Sequence, residues 1–383
     1  MNFTFTTEQQ SFRDELCSFL TENVPKAQQT THGYFSHAQY TFSRKLYKEM
    51  ALRRWLTIGW PKEFGGGGKG FIEQAIFDEE IGYHRVQRVG ITGLSFVGPA
   101  LMRFGSPAQK LKYLPPIANG DVEYCQGFTE PNAGSDLASL EMSAAKKGNR
   151  YVLNGSKIYT SFYKHSDYIY LLARTDPNVP KHRGISLFIV PCDRPGITFR
   201  ELPFIIGESA AQIYFDQVEV STKTLIGEEN RGWYYAMTTL DYERAQIERY
   251  ARVRRTFDEF LLFCQKNNIT RDPIIQHKLA KLKIDFDSWK LMCWKVAWMQ
   301  SKNLLPSAES SAAFLFGTDQ RLRFSQEASE ILGFYSVLRK GSDITPMEGA
   351  IEGLSREALH MHGAGTQEIH RNIVAQRGLG LPR

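Results

Sequence analysis

A glycine-rich run is the first feature of this sequence whose residue types could do chemistry. Gly65–Gly70 formally matches the G-x-G-x-x-G pattern that cradles a dinucleotide pyrophosphate. That pattern binds phosphate where a strand ends and a helix begins, whereas here the preceding residues are Trp60–Phe64, which do not form a strand pattern. Lys69 is followed by Gly70 rather than by Ser or Thr, so a P-loop is also disfavoured. We interpret the run as a turn between helices.

The histidines and cysteines do not predict a metal site. His360, His362 and His370 lie close together in the sequence, but without carboxylate or cysteine partners at a metal-binding spacing. The five cysteines are scattered, which argues against a CxxC site and against a disulfide framework. We therefore expect no metal ligands, and a reducing cytoplasm as the place where the chain works.

A run of arginines is the main cluster of positive charge. Arg249, Arg252, Arg254 and Arg255 lie within seven residues, with Glu248 four positions before Arg252. One interpretation is a solvated, ion-paired helix face, and the other is contact with phosphates of a substrate. The net charge of +6 over 383 residues is too mild for a nucleic-acid binder and suits an anionic small molecule equally well.

Length and composition exclude further classes. With 383 residues, 42% hydrophobic and 23% charged, the chain can bury a sizeable core without disulfides or metals. The uninterrupted apolar stretches are short, such as Tyr168–Ala173, so membrane insertion is not expected. Met1–Glu8 has neither the basic nor the apolar region of a secretory signal, and none is expected.

The elements that must position any site follow the order helices, strands, helices. Helical spacing of apolar residues dominates the first 120 or so residues, where Phe104–Pro107 predicts a helix end followed by a new helix start. Between about 122 and 222 the period changes to 2, and Tyr151–Tyr159 predicts a hairpin around Asn154-Gly155. The helical period returns from about 228. We expect an α+β fold, with an α domain split in sequence around an antiparallel sandwich or barrel.

Five segments carry a family signature in a fixed order. They are Trp60–Gly66 (WPKEFGG), Phe104–Lys110 (FGSPAQK), Gln126–Asp136 (QGFTEPNAGSD), Asn154–Tyr159 (NGSKIY) and Gly363–Arg383 (GAGTQEIHRNIVAQRGLGLPR). Together they resemble the acyl-CoA dehydrogenase flavoprotein family, whose patterns include WPxEyGG, TEPxAGSD, NGxKxW/Y and RxLGLPR. The resemblance covers essentially the whole chain.

This resemblance implies a fold, a cofactor and a reaction. The expected domains are a helical N-terminal domain (1–121), a central antiparallel β domain (122–228) and a C-terminal four-helix bundle (229–383). The implied reaction is FAD-dependent α,β-dehydrogenation of an acyl-CoA thioester, in which a base removes the α-proton and the β-hydride passes to the flavin. An electron-transfer flavoprotein or similar acceptor would take the electrons, in fatty-acid or steroid side-chain catabolism. Matched positions imply flavin contacts at Phe128, Thr129, Tyr159, Ser161, Thr366 and Glu368, and a CoA contact at Ser135.

The carboxylate that acts as base in many family members is missing. Their YEGT glutamate aligns with Ala364, which cannot take a proton, although its backbone N–H can still polarise the thioester carbonyl. Members such as isovaleryl-CoA dehydrogenase carry the base on the first helix after the β domain, and Thr239–Arg244 (TLDYER) matches that place. The resemblance therefore assigns the base to Glu243, with Arg244 near the substrate. It also favours a branched, cyclic or bulky acyl group.

Two segments that normally complete the flavin site of a neighbouring subunit are eroded. Lys266–Pro273 has no clear RxxFG, and Leu332–Tyr335 lacks the usual GGxGY. We expect either a homotetramer or an α2β2 heterotetramer whose second chain shares the site. The alternative is a non-catalytic or half-site subunit of a heteromeric enzyme. For Glu243 alone, the alternative is that it only pairs with a neighbouring arginine on a solvated helix. A weaker alternative is an oxidase or monooxygenase on the same fold.

Overall fold

The computed structural model of the chain describes residues 4–29, 37–205, 209–243, 246–359 and 363–382, and for residues 239–243 it describes the helical backbone alone. The helices are α1 (Thr7–Asn23), α2 (His37–Leu52), α3 (Phe71–Tyr83), α4 (Gly98–Phe104), α5 (Pro107–Ala118), α6 (Gly232–Glu243), α7 (Ile247–Lys266), α8 (Pro273–Ser301), α9 (Ser307–Leu332), α10 (Ala350–Ala358) and α11 (Gln367–Ile373). The strands are β1 (Tyr124–Gly127), β2 (Ser143–Lys147), β3 (Arg150–Thr160), β4 (Tyr168–Arg174), β5 (Ile185–Pro191), β6 (Ile197–Pro203) and β7 (Ser209–Ser221).

The chain divides into two compact units. The first, called the helical unit below, comprises the described residues within 1–42, 69–87 and 244–383. The second, called the sheet unit, comprises those within 43–68 and 88–243. The chain crosses between the two units four times: within α2, before α3, after α3 and after α6. Across the described parts of both units, no helix is long and apolar enough to cross a membrane.

The helical unit joins α1 and α3 to the C-terminal helices. Its core contains the mutually packed rings of Phe257, Phe286 and Phe324, from α7, α8 and α9, with centroids 4.8 to 5.6 Å apart. Gly82 lets the backbones of α3 and α7 approach closely, because a Cβ there would lie 2.3 Å from the carbonyl oxygen of Glu248. The early helices are therefore part of the same core as the late ones.

The sheet unit is built on a seven-stranded sheet in the order β1-β4-β2-β3-β7-β6, with β5 paired to β4. Four pairings are antiparallel, and β1 and β2 run parallel to β4. The sheet is thus mostly antiparallel, as expected, and the long connection over residues 128–167 allows β1 to run parallel to β4. Strand β4 is hydrophobic from Ile169 to Ala173 because both faces are buried there: Tyr170 and Leu172 belong to one core cluster, and Ile169 and Leu171 to the other.

One prediction for this region is wrong and another is confirmed. Asn154-Gly155 is not a hairpin turn; β3 continues through it, and the reversal lies at Gly148-Asn149, where Lys147 pairs with Arg150. Gly155 has φ +136°, but that freedom serves a close approach, since a Cβ would lie 2.9 Å from Met142 Cγ. The predicted boundary after Phe104 is confirmed: α4 ends there, and the Ser106 hydroxyl caps α5.

Candidate active site

The end of β1 brings Phe128 and Thr129 against β3. Phe128 is buried and packs on Tyr170 with ring centroids 5.5 Å apart, which fixes the chain as it leaves the sheet. The carbonyl of Thr129 accepts a 2.8 Å hydrogen bond from the N–H of Ile158. The motifs at Gln126–Asp136 and Asn154–Tyr159, which lie about 30 residues apart in the sequence, therefore meet in the sheet unit.

Tyr159 stands at an irregularity in β3. Between Lys157 and Thr160 the pairing with β7 gains one residue on β3, and Tyr159 takes φ +60°. Its side chain is 61% exposed, whereas Thr160 beside it is buried, and Ser161 follows on the surface. The bulge thus presents an aromatic ring and a hydroxyl beside the backbone edge formed by Thr129 and Ile158.

The turn after Thr129 presents Ser135 to solvent. Glu130 and Ala133 exchange two backbone hydrogen bonds of 3.1 Å, and the buried Ala133 anchors the turn. Ser135 is exposed at its far end. Asp136 next to it forms an exposed 2.8 Å ion pair with Lys181, and this hydrogen bond lowers the pKa of Asp136.

A buried ion pair lies directly beneath this surface. The Lys157 ammonium is completely buried and lies 2.8 Å from Glu130 Oε1 and 3.0 Å from the Phe128 carbonyl oxygen, to which it donates. Burial lowers the pKa of Lys157 to about 8, even though the adjacent Glu130 carboxylate opposes that shift. Sequence reasoning did not single out either residue. The available signal was a lysine in the middle of a strand that also carries the apolar run Tyr151–Leu153.

The helix that carries the candidate base is fixed tightly to the sheet. Gly232, the first residue of α6, approaches β5 so closely that a Cβ would lie 2.4 Å from the amide nitrogen of Leu187. Asn230 precedes it with φ +67°, donates its N–H to Ser186 Oγ at 2.7 Å, and accepts from Thr175 Oγ1 at 2.5 Å. These contacts set where α6 begins.

Helix α6 then runs along the sheet unit to Glu243. Ala236 is completely buried, and Tyr235 stacks on Phe104 of α4 with ring centroids 4.1 Å apart. Glu243 is the last residue of α6; its side chain, and all of Arg244, lie outside the described residues.

Ala364 occupies a strained turn in the helical unit. It takes φ +68°, which is uncommon for a residue with a Cβ, and Gly365 follows with φ +108°. The Ala364 carbonyl lies 3.2 Å from Nε2 of the buried His370, whose Nδ1 lies 3.1 Å from Ser311 Oγ. The imidazole also stacks on Phe314, with ring centroids 4.0 Å apart. The buried His370 ring therefore fixes the position of the Ala364 turn.

The other two predicted C-terminal residues lie immediately after this turn. Thr366 caps α11, its Oγ1 accepting from the N–H of Ile369 at 3.3 Å, which leaves its own O–H free to act as a donor. The Glu368 side chain is 78% exposed and lies 4.0 Å from Arg371. Thr366, Glu368 and Ala364 belong to the helical unit, whereas Phe128, Thr129, Ser135, Tyr159 and Ser161 belong to the sheet unit.

The arginine run on α7 forms ion pairs along its own helix. Arg252 lies 2.6 Å from Glu248, Arg254 lies 2.8 Å from Asp258, and Arg255 lies 2.8 Å from Glu259. This is the ion-paired face that the spacing suggested. In the described parts of the chain, no group of three or more His, Cys, Asp or Glu side chains is arranged to hold a metal ion.

Comparison with known proteins decides the family. Models of the N-terminal, middle and C-terminal domains of acyl-CoA dehydrogenases match residues 6–121, 125–218 and 230–379. Mitochondrial isovaleryl-CoA dehydrogenase of Pongo abelii is 34% identical over 395 residues, which cover 96% of this chain and 88% of the relative. The chain belongs to the acyl-CoA dehydrogenase family.

Two solved structures resemble the whole chain. They are the Tcur3481-Tcur3483 steroid ACAD and the ChsE4-ChsE5 complex from Mycobacterium tuberculosis. Each aligns with a TM-score of 0.90 at 32% identity and covers 100% of both chains. The expected acyl-CoA dehydrogenase fold, with helical N-terminal, β middle and helical C-terminal regions, is thereby confirmed.

As an acyl-CoA dehydrogenase, the chain is an FAD-dependent oxidoreductase that acts on an acyl-CoA thioester. The sheet unit suits a flavin, because the exposed Tyr159 ring and Ser161 hydroxyl stand beside a backbone edge that is fixed by hydrogen bonds. Rings, hydroxyls and backbone amides are the groups that can stack on a flavin and donate to its oxygen and nitrogen atoms. Bound FAD supplies the two-electron acceptor of the reaction.

Proposed function

We propose that this acyl-CoA dehydrogenase oxidises a branched, cyclic or bulky acyl-CoA between Cα and Cβ, with Glu243 as the base. The observation that carries the proposal is Ala364: the turn that bears the base in many family members is well formed here but holds no carboxylate. Glu243 ends a helix whose start is fixed by Gly232 and Asn230, so a carboxylate there has a rigid anchor.

Each remaining residue has a role that follows from its place. Phe128, Thr129, Tyr159, Ser161, Thr366 and Glu368 would contact the flavin, as their matched motif positions imply. Ser135 and Arg244 would contact the CoA part of the substrate. The N–H of Ala364 would donate to the thioester oxygen, and that bond makes the α-proton more acidic for Glu243 to remove.

The acyl group and the assembly are proposed from the relatives. One relative is named for the branched isovaleryl group and one solved neighbour is named a steroid ACAD, which supports a branched or bulky substrate. Another solved neighbour is a complex of two different chains, ChsE4 and ChsE5, which supports an α2β2 heterotetramer over a homotetramer.

Electrons would leave through an electron-transfer flavoprotein or a similar acceptor. All five cysteines are free, which supports a reducing cytoplasm.

Ala364 also favours one competing function, a subunit that shapes the site of an active partner without doing chemistry itself. The discriminating experiment is to purify the chain alone and record its visible spectrum anaerobically, with and without acyl-CoAs. The panel is butyryl-, palmitoyl- and isovaleryl-CoA and a steroid side-chain acyl-CoA. We expect a yellow protein that is bleached fastest by the branched or steroid thioester.

The outcomes separate the alternatives. A colourless chain that becomes yellow only when produced with a second acyl-CoA dehydrogenase chain would support the half-site subunit. A yellow protein that no thioester bleaches would contradict the catalytic proposal. A stable homotetramer with one FAD per chain would contradict the heterotetramer. Oxygen consumption during turnover would indicate an oxidase.

A further inference from the structure

A charged pair that the proposed reaction does not use is buried under the flavin-facing segments of the sheet unit. Lys157 is 0% exposed and ranks among the largest completely buried side chains of the described residues. The other completely buried residues of the same strand, Tyr151 and Leu153, are hydrophobic. A lysine is almost never buried so completely unless it is paired, so its partners show what it does.

The partners of Lys157 tie three pieces of backbone together. The ammonium donates to the Phe128 carbonyl oxygen at 3.0 Å and to Glu130 Oε1 at 2.8 Å. Glu130 in turn accepts from two backbone amides just before β2, from Met142 to Oε1 at 2.9 Å and from Glu141 to Oε2 at 2.6 Å. One ion pair thus joins β3, the end of β1 and the start of β2.

Thr129 lies between Phe128 and Glu130, the two residues that Lys157 binds. Its carbonyl is already fixed by the N–H of Ile158, so residues 128–130 are held to β3 by a backbone bond and by both bonds of Lys157. Because the Phe128–Thr129 peptide is planar and trans, its N–H points away from the carbonyl that Lys157 binds. A cation on the carbonyl polarises the peptide and makes that N–H a stronger donor.

A buried ion pair is weak evidence for stability, since apolar residues of similar volume often stabilise a core equally well. We propose that Lys157 and Glu130 are positioning residues for FAD: they hold and polarise the Phe128–Thr129 peptide and so set the geometry of the flavin contacts. This inference rests on the proposed assignment of Phe128, Thr129 and Tyr159 to the flavin. It adds two residues that do not touch the cofactor.

The test compares four purified proteins: wild type, Lys157→Met, the Lys157→Met/Glu130→Gln double variant, and Lys146→Met. Lys146 forms an exposed 2.7 Å ion pair with Glu229 on the surface of the same sheet, so its variant is the matched control. The measurements are the dissociation constant of FAD from each protein, the visible absorption bands of the bound flavin, and the melting temperature of the apoprotein.

We expect Lys157→Met to bind FAD at least about tenfold more weakly and to shift the flavin bands. The double variant has no unpaired buried charge and should recover most of the melting temperature, but not the FAD affinity or the spectrum. Lys146→Met should match wild type. If Lys157→Met fails to fold, the double variant alone carries the test.

Two results would overturn the inference. One is a double variant that regains wild-type FAD affinity together with its melting temperature, because the pair would then act on stability alone. The other is unchanged affinity and spectrum in every variant. Failure of the proposed function has a different signature: wild type itself would bind no FAD, or would bind FAD that no acyl-CoA bleaches while the variants still differ in FAD affinity.

Discussion

Replacing Gly232 by alanine should displace the helix that carries Glu243. A Cβ at Gly232 would lie 2.4 Å from both the amide nitrogen of Leu187 and the carbonyl carbon of Ser186. Ordinary van der Waals contact begins near 3.4 Å, so the start of α6 must move by about 1 Å. The clash is with backbone on β5, which cannot rotate away as a side chain could.

The size of the effect follows from the rigidity of α6. The helix has 12 residues and is about 18 Å long, so a shift at its start is carried to its last residue, Glu243. A displacement of about 1 Å between reacting groups costs roughly 100-fold in rate, or about 2.7 kcal/mol of transition-state stabilisation. Overpacking should also lower the free energy of unfolding by about 1 to 3 kcal/mol.

The assay is anaerobic flavin reduction in a single turnover, with each protein first shown to hold the same amount of FAD. Gly70→Ala is the matched control, because its Cβ would meet only the flexible carboxylate tip of Glu73, at 3.1 Å. We expect slow reduction in Gly232→Ala and wild-type reduction in Gly70→Ala. Reduction at the wild-type rate in a folded Gly232→Ala protein would refute the idea that the start of α6 positions the base.

Three further predictions concern the buried polar groups. His370→Leu removes the hydrogen bond to the Ala364 carbonyl and should raise the KM for acyl-CoA about tenfold in steady-state assays, whereas His370→Gln, which keeps a donor, should recover most of it. Arg85→Met removes a buried 2.9 Å hydrogen bond to Thr256 Oγ1 and a 2.9 Å ion pair with Glu259, which keeps its pair with Arg255; it should lower the free energy of unfolding by about 2 kcal/mol, measured by urea denaturation. Burial lowers the pKa of Lys157 from 10.5 to about 8, so between these pH values the unfolded chain binds a proton that the folded chain lacks. Wild type should therefore gain stability relative to Lys157→Met as the pH rises from 8 to 10, and thermal melts would measure this gain.

Prediction from the sequence succeeded where a local residue pattern is compatible with only one structure. Ser106 and Pro107 can begin a helix but cannot continue the preceding one, and the structure starts α5 there. Asn154-Gly155 permits a positive φ, but local sequence cannot say whether that freedom reverses the chain or admits a neighbour such as Met142. Long-range pairing with the 13-residue strand β7 decided in favour of a continuous strand.

The candidate site residues were predicted from motifs, whereas the contacts that hold these residues in place were not predicted. TEPNAGSD and NGSKIY mark Thr129 and Tyr159, but nothing in either string states that they join through Ile158. The roles of Lys157 and His370 depend on which backbone carbonyl lies within reach of a buried side chain. Which carbonyl lies within reach depends on how segments far apart in the sequence pack together. Neither residue spacing nor composition predicts that packing.

The central claim is that Glu243 removes the α-proton, and the most direct test is flavin bleaching by acyl-CoA in Glu243→Gln. Glu248→Gln is the matched control, because Glu248 lies close in sequence and forms a 2.6 Å ion pair with Arg252 on α7. With the acyl-CoA that bleaches wild type fastest, we expect Glu243→Gln to bind FAD and substrate normally, yet to reduce the flavin at least about 1,000-fold more slowly. Glu248→Gln should reduce it at the wild-type rate. Normal bleaching in Glu243→Gln would contradict the account.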